Sequence, residues 1–229
     1  MIILRKYFEM KNYSLSILAI ILFLSTCVSS CKNQEIVRPK NEGIKNIIFS
    51  EKSVWKYDGE ILSKCRMHGD IENCIFESIK KTGGTIEALQ AAQYLTQNFE
   101  PAYVSNYKKE GLIGVLTVEY PLRANENTGT LLIPAIGGPI IDVDKITENC
   151  LPSSPVWKSF EKKHPELMYV SGYMLRKEQT DRDMRLIFSY PLRTCRICDD
   201  IGSIDITYNF TIKGIFIACS LSDIRYGNL

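Results

Sequence analysis

The spacing of apolar residues changes along this chain, and each change marks a different kind of segment. From Leu15 to Leu24 nearly every residue is apolar (L-S-I-L-A-I-I-L-F-L), a run of export-signal length that is too short for a comfortable membrane span. Residues 32–45 (K-N-Q-E-I-V-R-P-K-N-E-G-I-K) are polar, have no period and carry Pro39 and Gly43, the composition of a flexible tether. Ile47, Ile48, Phe49, Val54 and Trp55 bring apolar residues back, so the folded body is expected to begin near Asn46. Cys74, Ile75, Phe76 and Ile79 fall at near-helical spacing over residues 72–81, and Gly83-Gly84 supplies a stop. Thr85 is placed to cap a second helix, I-E-A-L-Q-A-A-Q-Y-L-T-Q-N, in which Ile86, Leu89, Ala92 and Leu95 recur every third residue.

After Pro101 the pattern turns to strands rich in Val, Ile, Leu, Tyr and Thr: 102–107, 111–120, 129–133, 139–143, 167–176, 184–190, 203–210 and 214–220. Lys108-Lys109-Glu110-Gly111 and residues 125–129 read as turns, Lys177–Arg182 as a charged hairpin turn, and 157–163 as a short helix. The expected fold is α+β: an N-terminal helical segment followed by a mostly antiparallel β-sheet. Tyr120-Pro121-Leu122-Arg123 and Tyr190-Pro191-Leu192-Arg193 echo one another at strand ends, which predicts two related β units with a ligand groove between them. The competing reading is two unrelated strand ends, each stopped by a proline that cannot continue the ladder. The resulting plan is a leader over 1–30, a tether over 31–45 and one domain over 46–229, divisible into sub-units 46–145 and 146–229.

Composition adds little to the fold class, with 45% hydrophobic and 24% charged residues. Charge changes more. The +2 of the whole chain belongs to the leader: without Arg5, Lys6, Lys11 and Glu9, the 28 basic and 26 acidic residues become 25 of each. Net charge therefore gives no case for nucleic-acid binding.

The apolar run ends in Val28-Ser29-Ser30-Cys31, which resembles the lipobox of bacterial lipoproteins. The resemblance implies cleavage before Cys31 by signal peptidase II and lipidation of Cys31 as the new N-terminus. Leu24-Ser25-Thr26-Cys27 is a weaker second candidate, and an ordinary cleaved signal peptide or an uncleaved anchor is the alternative. Lys32 in place of an aspartate after the cysteine implies outer-membrane sorting in a Gram-negative cell, so the partner implied is the membrane, through an N-terminal lipid.

Six further cysteines, Cys65, Cys74, Cys150, Cys195, Cys198 and Cys219, form an even set, which in an exported protein argues for disulfides. Cys65 and Cys74 bracket a short segment and are the simplest pair. Cys150 is expected to pair with one cysteine of the C-x-x-C and Cys219 with the other, cross-linking distant strands. The sharper alternative is a thiol-disulfide oxidoreductase using Cys195 and Cys198. Against it, Asp199-Asp200 and a strand-patterned stretch follow the pair, so no helix N-terminus lowers a thiol pKa and two carboxylates raise it. An all-thiolate zinc site from the last four cysteines is the third reading, with only one C-x-x-C to support it.

His68 and His164 lie in polar, turn-like settings and read as surface residues, although His68 with Asp70 is the one acid/base pair between Cys65 and Cys74. Asp142-Val143-Asp144 has no calcium-loop continuation and reads as a solvated strand end. Gly137-Gly138-Pro139 reads as a turn, and the strand tyrosines as covers for half-buried sheet faces or as groove lining. No catalytic set, cofactor motif or metal motif is read. Over residues 65–219 the order of helices, Tyr120–Asn127, Pro191 and C-x-x-C resembles exported Gram-negative proteins without an assigned activity, which implies location alone. The functional expectation is a lipid-anchored, non-catalytic binding or structural protein facing the periplasm or cell surface, with a protein or peptide partner.

Overall fold

The computed structural model of the protein describes residues 47–56, 65, 69–124, 126–136 and 138–227. The leader, Cys31, the tether over 31–45 and His68 lie outside the described residues.

Among the described residues, two α-helices of three or more turns precede the sheets, where the spacing predicts them. Helix α1 (Ile71–Lys81) is capped by Asp70, whose carboxylate accepts the Asn73 amide at 3.2 Å. Helix α2 (Ile86–Asn98) is capped by Thr85, whose hydroxyl accepts the Ala88 amide at 3.0 Å. Strands β1 (Tyr103–Glu110), β2 (Ile113–Glu119), β3 (Thr128–Ile133) and β4 (Ile141–Asp142) then form an antiparallel sheet in chain order. Two shorter helices, α3 (Ile146–Asn149) and α4 (Pro155–Lys163), lead to a second antiparallel sheet. It contains β5 (Met168–Tyr169), β6 (Tyr173–Gln179), β7 (Asp183–Arg193), β8 (Gly202–Thr211) and β9 (Phe216–Tyr226), with β5 and β6 both paired to β7. The fold is α+β and mostly strand, as expected.

Strand alternation sends the first sheet's side chains two ways. Leu116, Val118 and Leu131 pack with Ala91 and Leu95 of α2, so the small alanine face lets the helix lie close. Ile113 and Leu132 point the other way and join Met184, Leu186, Phe188, Ile204, Ile206 and Phe210 of the second sheet in one core. Helices, first sheet and second sheet are thus three successive layers.

The Tyr-Pro-Leu-Arg echo is the visible part of a duplication. In the first sheet Tyr103 pairs with Glu119 and Val104 with Val118; in the second, seventy residues on, Tyr173 pairs with Ser189 and Met174 with Phe188. The register slips at the same place in both, so Ser105 and Leu175 are equivalent bulges. Further along, Val118 pairs with Gly129 and Leu131 with Asp142, while Phe188 pairs with Ile206 and Tyr208 with Cys219. The shift there is seventy-seven, so the second four-strand meander differs in ladder register by one seven-residue insertion, between β7 and β8. That insertion continues the ladder through Pro191–Ser203 and Leu192–Gly202 and ends in a tip holding Cys195 and Cys198.

Several segments depart from the pattern-based reading. β7 runs through Pro191, because the Pro191 carbonyl accepts from Val170 on the β5 side. A residue in a strand presents N–H and C=O to the same side, so the missing proline N–H faces the break between β5 and β6 and costs no bond to β8. β1 and β6 continue through Lys108-Lys109-Glu110 and Lys177-Glu178-Gln179, the segments expected to turn. Both are edge strands, where charge is tolerated and blocks further pairing. Glu110 joins them, 2.5 Å from Lys108 and 3.1 Å from Lys177, and the Lys108 bond leads in holding its carboxyl below the usual range.

Val143, just after β4, ties the two units together. Its carbonyl receives the Tyr190 hydroxyl at 2.7 Å and the Tyr208 hydroxyl at 3.2 Å, and the hydroxyls lie 3.0 Å apart. Both tyrosines are fully buried in the core, so they belong to the packing and not to a groove wall, and burial drives both phenols far above their usual pKa. Tyr190→Phe is expected to lower stability by about 1 kcal/mol, the net worth of one buried hydrogen bond, read as a lower urea midpoint at unchanged slope.

Candidate functional site

The six body cysteines form three disulfides: Cys65–Cys74, Cys150–Cys219 and Cys195–Cys198. The first is the expected pair. The other two correct the expected cross-pairing of Cys150 and Cys219 with the C-x-x-C. Cys219 lies opposite Tyr208 on the core side of β9, where Cys150, at the end of α3, packs into the same core. Cys195 and Cys198 are held in a turn, with the Cys198 amide donating to the Cys195 carbonyl at 3.2 Å and 5.1 Å between their Cα atoms. This pairing also removes the all-thiolate zinc reading, since all four of those sulfurs are bonded in pairs. Among the described residues, no group of three or more His, Cys, Asp or Glu is placed to hold a metal ion.

The tip around Cys195 and Cys198 is open. Ile197 is 96% exposed, Arg196 is exposed, and both cysteines are part-exposed. Arg193 anchors the base, its Nε 2.6 Å from Asp200 and its guanidinium donating to the Arg196 carbonyl at 2.9 Å. As the sequence indicates, a strand and not a helix follows, because β8 begins at Gly202.

A groove of about 440 Å³ runs beside this tip, lined by Tyr173, Asp200, Gly202, Ser203, Arg225 and Tyr226. Beneath it the outer face of the second sheet carries Ser189, Asp205 and Thr207, all buried. Arg225 lies across them, 2.6 Å from Asp205, 2.9 Å from the Ser203 hydroxyl and 3.2 Å from the Ser189 hydroxyl. Nothing local in the sequence signals this cluster. Asp205 between two isoleucines reads as an outward strand residue, and its partner lies twenty residues on.

The second candidate lies at the seam predicted between the units. A groove of about 500 Å³ is lined by Phe99, Ile140, Asp142 and Lys145 on one side and by Phe216 and Cys219 on the other. Here the structure corrects the reading of Asp142 and Asp144 as a solvated strand end. Asp142 is buried and accepts the Asp144 amide at 3.0 Å. Burial, reinforced by the charge of Asp142, raises the Asp144 carboxyl to about 6, and burial raises Asp142 as well. Nearby, Arg123 stacks 3.6 Å over the Tyr120 ring and bonds Glu100 at 2.5 Å. Asp142 is drawn inward because it lies opposite Leu131 in the β3–β4 ladder and so shares that residue's buried face.

His164 is not free on the surface. It stacks on Phe160 and Tyr226, with ring centroids 4.8 and 4.5 Å away, and its Nδ1 is 3.5 Å from Glu166.

No protein-family model, no curated protein and no solved structure matches this chain. The duplicated meander and its two grooves therefore stand on their own geometry.

Proposed function

We propose that the protein is a lipid-anchored, disulfide-stabilised binding or structural module of the periplasm or cell surface, acting by contact with a protein or peptide partner and not by turnover. The observation that carries this reading is the set of three disulfides, which persist in an oxidising compartment and are rare elsewhere. The export run and Val28-Ser29-Ser30-Cys31 supply a route to that compartment and a lipid attachment at Cys31, and Lys32 favours the outer membrane. Binding surface is offered by the open face of the second sheet and by the seam groove, both of which present desolvated carboxylates beside cations.

Globomycin, which blocks signal peptidase II, is expected to accumulate the uncleaved precursor. Cys31→Ala is expected to do the same and to abolish incorporation of labelled palmitate. Normal processing under either condition sinks the lipoprotein assignment, and free thiols at Cys65, Cys74, Cys150 and Cys219 in protein isolated from the cell envelope sink the compartment argument.

A further inference from the structure

The three disulfides differ in what the fold asks of them. Cys65 and Cys150 are fully buried, and Cys219 packs against the main core. Cys195 and Cys198 belong to no core cluster and stand at the tip of a hairpin. The internal duplication supplies a control for this hairpin. The first unit makes the same strand connection, from Tyr120 to Asn127, without a disulfide, closing it with the Tyr120 amide on the Asn127 carbonyl and with Arg123. The seven-residue insertion carrying Cys195 and Cys198 is therefore not needed to join these strands. A ring closed over two intervening residues also restricts the unfolded chain least of the three.

We propose that Cys195–Cys198 is a stoichiometric thiol-exchange site that takes up the two electrons of a dithiol on a partner protein. A partner thiolate attacks one exposed sulfur, the Cys195–Cys198 bond breaks, and a mixed disulfide forms while the expelled sulfur takes up a proton. The partner's second thiol then attacks the mixed disulfide. Cys195 and Cys198 leave as two thiols and the partner leaves as a disulfide, so two electrons and two protons have passed to this chain. Ile197, exposed between the sulfurs, offers an apolar contact to the incoming segment, and the adjoining groove with Tyr173, Tyr226 and Arg225 gives that segment a bed. Arg193 holds the base of the loop through Asp200, so opening the disulfide leaves the strand ends in place. The site adds a partner chemistry to the binding reading and is independent of lipidation at Cys31.

The test is graded reduction of the purified, oxidised protein with dithiothreitol at neutral pH, followed by alkylation and peptide mass mapping. Cys195 and Cys198 are expected to become alkylated at dithiothreitol concentrations at least tenfold below those that open the other two disulfides, with the circular dichroism melt lowered by no more than a few degrees. Removal of the dithiol in air is expected to restore the bond. Cys195→Ser/Cys198→Ser provides a second arm, expected to melt within a few degrees of the wild type. Opening of all three disulfides together, a Cys195–Cys198 bond that opens last, or a melt that collapses when it alone is open would overturn the proposal. The wild-type map stands even if the variant fails to fold.

Discussion

Replacing Cys150 and Cys219 together by alanine is expected to cost the folded protein about 4 kcal/mol, the largest loss from any one disulfide. The bridge spans a sequence separation of 69 and ties the end of α3 to β9, so cutting it frees a long loop in the unfolded chain. Loop-closure entropy for such a length is worth about 4.4 kcal/mol at room temperature, against about 2.6 for Cys65–Cys74 and about 1.6 for Cys195–Cys198. Cys150 and Cys219 also contribute to the core, so alanine adds a small packing loss. Urea unfolding of the oxidised double variant should move its midpoint further than the corresponding changes at Cys65/Cys74 or Cys195/Cys198. Equal shifts for all three pairs would show that strain or residual structure in the unfolded chain, and not loop length, governs these bridges.

The same bridge marks where sequence reasoning stops. Helical spacing and Thr85 place α2 correctly, since both signals are local. Disulfide partners are set by sheet register, and Cys219 is known to face the core only once Tyr208 is seen opposite it. The duplication is legible in four residues and hidden elsewhere for a physical reason. Ile113 and Val115 of the first unit face the second sheet, whereas their equivalents Asp183 and Arg185 lie on the outer side of β7, against solvent. Leu132 likewise corresponds to Asn209. One backbone pattern has been written twice with opposite polarity on one face, so periodicity finds strands in both halves without showing that they are equivalent. That reversal also explains why the stack ends where it does: the second unit's outer face carries Asp183, Arg185 and Asn209 where the first presents Ile113, Val115 and Leu132.

The Asp142-Val143-Asp144 segment yields the second large effect. Asp144→Asn is expected to stabilise the protein by about 2 kcal/mol at pH 7 and to have little effect near pH 3.5. The cause is desolvation: burial, with Asp142 close by, holds the Asp144 carboxyl at about 6 in the folded chain, whereas in the unfolded chain it ionises near its usual value. A carboxyl raised in this way favours the folded state while it is protonated in both states, and the advantage is lost as pH rises from about 4 through 6, where the unfolded chain has released a proton that the folded chain still holds. The full loss corresponds to about 3 kcal/mol, and the asparagine gains somewhat less because its neutral oxygen accepts the Thr130 amide more weakly than a carboxylate does. Asp142, raised in the same direction, adds to the fall over the same side of the profile, while Glu110, lowered by Lys108 and Lys177, contributes with the opposite sign and loses its share as pH falls. Urea midpoints measured from pH 4 to 7.5 should therefore decline more steeply for the wild type than for Asp144→Asn, with the two curves meeting at the acid end. Parallel curves would mean that Asp144 is solvated after all. If they diverge as expected, the wild type retains a carboxylate that its fold would be more stable without, two residues from Asp142, which lines the groove between the two units, and a ligand that brings a cation to Asp142 would recover part of that cost on binding.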